Sequence, residues 1–143
     1  MPLMQRGVAA LMGRMPKVMS PKAHAIADWA TIGMWGVVAG MAWGRNKRAA
    51  ISAIICGAAE MGTVLVTDMP LGGVKELISF PTHGKIDMGL AATASAMPNL
   101  MGFDDEPDAK WFRILGLNVT AVTALTDFSQ VRRTDRQRRR RAA

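Results

Sequence analysis

Two histidines and four aspartates recur in a matched pattern along this chain. Each histidine is followed four residues later by an aspartate. Forty residues after that aspartate comes a second one, which is preceded each time by a threonine. The residues of this predicted polar network are His24, Asp28, Asp68, His83, Asp87 and Asp127. Imidazole and carboxylate groups can share protons near neutral pH or bind zinc, iron or manganese. Which chemistry applies depends on the elements that bring the residues together.

In an antiparallel helical hairpin, the start of one helix lies beside the end of the next. His24 is therefore predicted to meet Asp68, and His83 to meet Asp127. An acid at the C-terminal end of a helix is disfavoured by about 0.3–1 kcal/mol, so each of these aspartates needs a partner, either the facing histidine or Lys22 and Lys85. The pattern predicts paired hydrogen bonds that staple each hairpin at the cytoplasmic surface.

Other chemistries for the network stay open at the sequence level. A metal site would use the same groups, but neither a Glu-x-x-His pair nor dense ligand spacing is present, so neither a metal nor another cofactor is predicted. Haem between His24 and His83 and a pH-responsive contact are further alternatives. The chain contains no recognisable nucleophile–base pair, phosphate loop or dinucleotide fingerprint, so no catalytic residue is predicted.

The longest apolar stretch, residues 24–43, spans about 30 Å as a helix, which matches the hydrocarbon core of a bilayer. Residues 49–67 form a second apolar stretch, and residues 80–101 and 111–128 form two weaker ones. We predict an all-α fold, a bundle of four transmembrane helices. The predicted regions are an N-terminal amphipathic interfacial helix at 1–19, the membrane domain at 20–128 and a basic cytoplasmic tail at 129–143.

A shift of 59 residues superposes residues 20–68 on residues 79–127 without a gap. It aligns both histidines, their aspartates and the Thr-Asp pairs, and also Gly57 with Gly116. Each unit contains one helical hairpin, so both enter the membrane from the same side. The expected arrangement is two tandem hairpins related by a pseudo-two-fold axis along the membrane normal.

Three motifs carry a resemblance to a known family: S-P-x-x-H-x-x-x-D at 20–28, T-D-x-P-L-G at 67–72 and H-G-x-x-D at 83–87. With them, residues 20–128 resemble the SPW-repeat family of small bacterial membrane proteins. Residues 97–103 look like the Ser-Pro-Trp motif with its serine and tryptophan replaced. The resemblance implies two two-helix repeats and brings no established biochemical activity.

Two polar residues are predicted to lie inside the membrane, Glu60 and Asn118. A charge at that depth is costly and is a functional-site hypothesis by default. One interpretation is a protonated Glu60 that bonds to Asn118 or to a threonine hydroxyl and joins two helices. The alternative is a proton or ion path from Glu60 to Asp68 and Asp127.

A ridge of glycines at four-residue spacing, Gly36, Gly40 and Gly44, lies in the first apolar stretch. Such a ridge lets another helix approach closely. The partner helix is predicted to come either from a second copy, from another membrane protein or from within the same bundle.

Lysines and arginines set the predicted orientation. With four crossings, thirteen lysines and arginines lie on the same side as the termini and five lie on the opposite side. Both termini are therefore predicted to face the cytoplasm, with the protein in the inner membrane of a bacterium. The tail arginines Arg138, Arg139, Arg140 and Arg141 are predicted to bind anionic lipid headgroups rather than a specific nucleic acid. The predicted function is a non-enzymatic scaffold or interaction subunit. The alternatives are a proton or ion carrier, a metal-binding membrane protein and a soluble basic helical bundle.

Overall fold

The computed structural model describes residue 10 and residues 13–129. The helices are α1 (Pro21–Ala42), α2 (Lys47–Leu65), α3 (Phe80–Leu100) and α4 (Ala109–Leu125), and two short parallel strands, β1 (Thr67–Asp68) and β2 (Ile78–Ser79), lie between α2 and α3. The predicted helical class is confirmed. The two strands, each of two residues, were not predicted from the sequence.

Local sequence signals mark where α1 and α2 begin. Ser20 caps α1, accepting a hydrogen bond from the Ala23 main chain at 3.2 Å, and Pro21 follows at the first helical position. Asn46 caps α2 in the same way, accepting from the Ala49 main chain at 3.0 Å. These caps satisfy main-chain donors that the first turn of a helix leaves free.

Helix α3 ends in a glycine turn. The Phe103 N–H donates to the Pro98 carbonyl at 2.9 Å, the Gly102 N–H donates to the Asn99 carbonyl at 3.4 Å, and Gly102 has a φ of 69°. This pair of bonds is a Schellman motif, which favours glycine at the left-handed position. It turns the chain sharply into the loop that precedes α4.

Short parallel pairings join the segments that enter and leave the helices. Met19, before α1, pairs with Thr126, after α4, while Thr67, after α2, pairs with Ile78, before α3. Both pairs are related by the 59-residue offset. The starts of α1 and α3 and the ends of α2 and α4 therefore lie together, at what is called here the near end.

Polar side chains join the two interhelical loops at the opposite, far end. Arg45 donates to Asp108 at 2.6 Å, Asn46 donates to Glu106 at 2.6 Å, and Arg48 pairs with Glu106 at 2.5 Å. The hydrogen bond to Asp108 raises the pKa of the Arg45 guanidinium above its ordinary value. These contacts hold the loop between α1 and α2 against the loop between α3 and α4.

Small residues allow the helices within each hairpin to pack closely. A Cβ atom at Gly57 of α2 would lie 2.9 Å from the Trp35 Cβ of α1, and one at Gly116 of α4 would lie 2.8 Å from the Ala91 carbonyl of α3. Both distances are shorter than ordinary carbon contacts, so only glycine fits there. Gly57 and Gly116 are the two glycines that the repeat alignment superposes.

The predicted glycine ridge faces away from these contacts. Gly36, Gly40 and Gly44 are exposed, and a Cβ atom at any of them would meet nothing within 4 Å among the described residues. Within the part of the chain that the structure describes, the ridge does not pack inside the bundle, where Gly57 and Gly116 make the close helix contacts. Association with a partner helix stays a prediction.

Within the described residues, two helices are long and apolar enough to cross a membrane, α1 with 22 residues and α2 with 19. Helix α4 has 17 residues, and the first turns of α3 carry His83, Lys85 and Asp87. Two of the four predicted crossings, α1 and α2, therefore have the length and composition of a membrane span, and the crossings of α3 and α4 stay a prediction.

The structure describes the N-terminal region only in part. Ala10, Gly13 and Arg14 are helical, whereas Met19 lies in an extended pairing, so the predicted interfacial helix over 1–19 does not continue to its C-terminal end. Residues 130–143, which include Arg138, Arg139, Arg140 and Arg141, lie outside the described residues, and their predicted contact with lipid headgroups stays a prediction.

Candidate functional site

Four members of the predicted network form a compact group at the near end, called here the His/Asp cluster: His24 and Asp28 of α1, and His83 and Asp87 of α3. The His24 Nε2 atom lies 3.3 Å from the Asp28 Oδ2 and 3.2 Å from the Asp87 Oδ2. The His83 Nε2 atom lies 3.1 Å from each of the same two oxygens. The two nitrogens and two oxygens therefore alternate around a closed ring.

Helix geometry and neighbouring aromatic rings hold this group in place. Each histidine and its aspartate are four residues apart and so share one helix face. The His24 ring makes edge contacts with Phe80 and Phe128, with centroids 5.2 and 5.6 Å apart. Both histidine side chains are completely buried. The cluster is thus shielded from solvent by apolar rings.

The outer ring nitrogens of both histidines bond to threonines. The His24 Nδ1 atom lies 2.8 Å from the Thr126 Oγ1, and the His83 Nδ1 atom lies 2.8 Å from the Thr67 Oγ1. Thr126 and Thr67 donate their own hydroxyl hydrogens to the main-chain carbonyls four residues earlier, at 2.7 and 2.6 Å. Because each hydroxyl hydrogen is already donated, each Nδ1 carries a hydrogen and is the donor. Each Nε2 then faces the carboxylates either as a second N–H or as a lone pair.

The predicted pairing of the histidines with Asp68 and Asp127 is wrong. The chain leaves α2 in an extended conformation, in which successive side chains point in opposite directions, so Thr67 is buried and Asp68 is exposed. Asp127 accepts hydrogen bonds from the Ser129 main chain and hydroxyl, at 3.0 and 2.6 Å. The threonine of each Thr-Asp pair is the residue that reaches a histidine.

The pairing is also crossed between the hairpins. His24, at the start of the first hairpin, bonds to Thr126 at the end of the second, and His83 bonds to Thr67 at the end of the first. The predicted staple within each hairpin is therefore replaced by bonds between hairpins. The cluster joins α1 to α3, and its threonine partners add α2 and α4.

Glu60 is buried and bonds to a residue that the sequence did not single out. The Trp35 Nε1–H donates to the Glu60 Oε2 at 3.0 Å, whereas the Glu60 Oε1 has no partner among the described residues. The predicted bond to Asn118 is wrong, because Asn118 donates to the Thr31 hydroxyl of α1 at 3.0 Å. Both polar residues nevertheless join helices, Glu60 within the first hairpin and Asn118 between hairpins.

Threonines on α2 and α4 that a path from Glu60 to Asp68 and Asp127 would follow, called here the polar stripe, hydrogen-bond within their own helices. The Thr63 hydroxyl donates to the Ala59 carbonyl and the Thr120 hydroxyl donates to the Gly116 carbonyl, both at 2.9 Å. A cavity of about 50 Å³ between α2 and α3 adjoins Glu60. Water fits in a cavity of this size. These contacts favour a structural role for the stripe over a proton path.

Trp35 and Glu60 make a test pair for this interpretation. Replacing Trp35 by Phe removes the only donor described for the Glu60 Oε2 and is expected to destabilise the protein by about 1–2 kcal/mol. Replacing Glu60 by Gln keeps an acceptor for Trp35 and is expected to cost less than about 1 kcal/mol. Unfolding of the purified variants in detergent measures both. A larger loss for Glu60→Gln than for Trp35→Phe would contradict the structural role.

Of the six residues of the predicted network, the structure brings together four, and Thr67 and Thr126 complete the group. No family model, no curated protein and no solved structure matches the chain. Its function is therefore inferred from these contacts.

Proposed function

We propose that this protein is an integral membrane protein in which all four helices cross the bilayer and the His/Asp cluster joins the two hairpins. Its role is that of a non-enzymatic scaffold or interaction subunit, not a catalyst. One observation carries the proposal: ionisable side chains are buried while large apolar side chains are exposed. This distribution is the reverse of that expected for a protein dissolved in water.

The exposed apolar side chains occur on every helix. Ile26 is 54% exposed on α1, Ile55 is 51% exposed on α2, Leu100 is 70% exposed on α3 and Leu117 is 69% exposed on α4. Among the described residues, the buried histidines and acids are His24, Asp28, Glu60, His83, Asp87 and Asp108. In a bilayer the apolar faces contact lipid, and the polar residues face the interior of the protein.

The contacts at both ends support four crossings rather than two. The cluster places the starts of α1 and α3 at one level, since His24 lies 3.2 Å from Asp87. Arg45 and Asn46 place the far-end loops of the two hairpins at another common level. If α1 and α2 cross the bilayer, α3 and α4 therefore occupy the same depth.

The helix contacts are of the kind that membrane proteins use. Lipid offers no hydrophobic drive for helix association, so small residues at close contacts and interhelical hydrogen bonds take its place. Gly57 and Gly116 occupy the tight contacts, and Asn118 bonds to Thr31 across helices. The matched contacts of Thr67 and Thr126 support two related hairpins, and the SPW-repeat resemblance stays a proposal that rests on the sequence motifs.

Tryptophans and basic residues support an orientation with both termini in the cytoplasm. Trp43 and Trp111 lie beside the far-end loops, and Trp29 donates to the Leu71 carbonyl of the near-end loop at 2.9 Å. These are the interfacial positions that tryptophan prefers. The excess of lysine and arginine on the near-end side supports a cytoplasmic position for that side in a bacterial inner membrane, and the basic tail would meet anionic lipids there.

Labelling of single cysteines tests this topology. The chain has one cysteine, so a Cys56→Ser background accepts single replacements at the exposed positions Gly44, Lys75 and Asp105. A membrane-impermeant maleimide added to intact spheroplasts is expected to label Gly44→Cys and Asp105→Cys, and to label Lys75→Cys only after permeabilisation. Labelling of all three from one side, or release of the protein by alkaline carbonate without detergent, would contradict the proposal.

A further inference from the structure

We propose that the His/Asp cluster binds one divalent first-row transition-metal ion, with Zn²⁺ the best match. His24, Asp28, His83 and Asp87 would supply one ligand atom each. This inference rests on the proposed function in one respect: the cluster is taken to join the two hairpins, and the metal ion is what would fill that junction. The donor geometry itself does not depend on a membrane.

The spacing of the four donor atoms fits a small tetrahedral ion. Zinc binds imidazole nitrogen and carboxylate oxygen at about 2.0–2.2 Å, which places neighbouring ligand atoms of a tetrahedron about 3.3–3.6 Å apart. The four nitrogen–oxygen distances around the ring are 3.1–3.3 Å, and all four donor atoms lie within 4.8 Å of one another. The four nitrogen–oxygen distances need to lengthen by a few tenths of an ångström, and the nitrogen–nitrogen and oxygen–oxygen pairs, which lie within 4.8 Å, close to the same spacing when the ion binds.

The threonines prepare both histidines as ligands. Thr67 and Thr126 accept the Nδ1 hydrogens, which leaves each neutral imidazole with its Nε2 lone pair directed toward the carboxylates. Metal-binding histidines in proteins commonly donate their other ring N–H to a fixed acceptor in this way. Two neutral histidines and two carboxylates carry a charge of −2, which a divalent cation balances in a buried site.

One atom argues against a cluster held by protons alone. The His24 Nε2 atom is buried and lies 3.2 and 3.3 Å from two carboxylate oxygens, yet it makes no hydrogen bond among the described residues. An imidazolium N–H in that position would lack a well-directed acceptor, which is costly in a buried site. A metal ion within the ring gives this nitrogen and the other three donors a common partner.

The donor set narrows the choice of metal. Two imidazoles with two carboxylates suit zinc, iron or manganese, whereas magnesium and calcium prefer six or more oxygens. Four protein ligands close a zinc site, so the ion would be structural rather than catalytic. An open groove of about 400 Å³ lies on the outer side of Phe128 and Thr123, the residues that contact His24 and Asp87.

Metal content of the full-length protein in detergent gives the first test. Protein incubated with Zn²⁺ and then dialysed is expected to retain about one zinc per chain, whereas His83→Gln and Asp87→Asn are expected to retain almost none. Asp68→Asn, at an exposed aspartate, is the matched control and should bind as the wild type does. Wild-type protein that is folded and retains no zinc would overturn the proposal.

A second test uses cobalt in place of zinc and variants of the threonines. It does not require the ligand variants to fold. Wild-type protein loaded with Co²⁺ is expected to show the visible absorption of tetrahedral cobalt, and Thr67→Val is expected to weaken binding by about 10–100-fold. Thr63→Val is the control, because that hydroxyl bonds only within its own helix. Equal affinity in Thr67→Val and Thr63→Val, or an octahedral cobalt spectrum, would count against the site.

Chelation separates this inference from the proposed function. Removing the metal is expected to lower the Tm in detergent by roughly 10 °C, because metal binding is linked to folding. A Tm unchanged by chelation, with the cysteine labelling as expected, would overturn the metal site and leave the membrane topology intact. If the protein binds the metal but the cysteine labelling contradicts four crossings, the metal site stands and the membrane topology is overturned.

Discussion

Replacing Asp87 by Ala is expected to destabilise the protein by about 3–5 kcal/mol, the range found when one partner of a buried charged group is removed. The Asp87 Oδ2 atom lies within 3.2 Å of both histidine Nε2 atoms, and neither nitrogen can reach water. Loss of the carboxylate leaves an unbalanced charge in the cluster, whether protons or a metal ion occupy it. Denaturant-induced unfolding in detergent, followed by helical circular dichroism, measures the change.

The matched control for this variant is Asp68→Ala. Asp68 is exposed and lies one residue beyond Thr67, so its removal is expected to change stability by no more than about 0.5 kcal/mol. Similar losses for the two variants would show that the cluster does not carry the stability assigned to it.

Replacing Gly116 by Val is expected to cost about 3 kcal/mol, the upper part of the range for overpacking a closely packed contact. Even one added carbon at Gly116 would meet the Ser95 hydroxyl and lie 2.8 Å from the Ala91 carbonyl, and main-chain atoms cannot move aside without shifting the helix. The variant should separate α3 from α4. Thermal unfolding in detergent gives the comparison with wild type.

Gly40→Val is the control for this packing prediction. A side chain at Gly40 meets nothing within 4 Å among the described residues, and valine and glycine have similar helix propensities, so we expect a change within about 0.5 kcal/mol. A loss at Gly40 as large as that at Gly116 would contradict the assignment of the internal contact. It would instead implicate the outer glycine ridge in stability.

Much of the fold could be predicted from sequence because its signals are local. Apolar length marks the helices, and Ser20 and Pro21 mark the start of α1. The 59-residue offset identified both histidines and four aspartates, of which Asp28 and Asp87 meet the histidines. The sequence does not show that the four side chains are spaced like metal ligands, because they come from two helices, α1 and α3. His83 and Asp28, which are in contact, are 55 residues apart in the chain. Only the packing of one hairpin on the other closes that distance.

The partners of the polar residues could not be predicted for a related reason. The choice of Thr67 over Asp68 depends on an extended turn that reverses the side-chain direction within one residue. The choice of Trp35 over Asn118 as the partner of Glu60 depends on the rotation of α1 against α2, which the close contact at Gly57 sets. The short motifs carry neither kind of information.

A double-mutant cycle between His24 and Asp87 tests most directly whether the cluster joins the two hairpins. Their Nε2 and Oδ2 atoms are 3.2 Å apart, and the residues belong to different hairpins. The stabilities of His24→Gln, Asp87→Asn and the double variant are expected to give a coupling of about 2–3 kcal/mol, because either change alone disables the cluster. Losses that add to within about 0.5 kcal/mol would mean that the residues act independently, and the cluster could not be the junction proposed here.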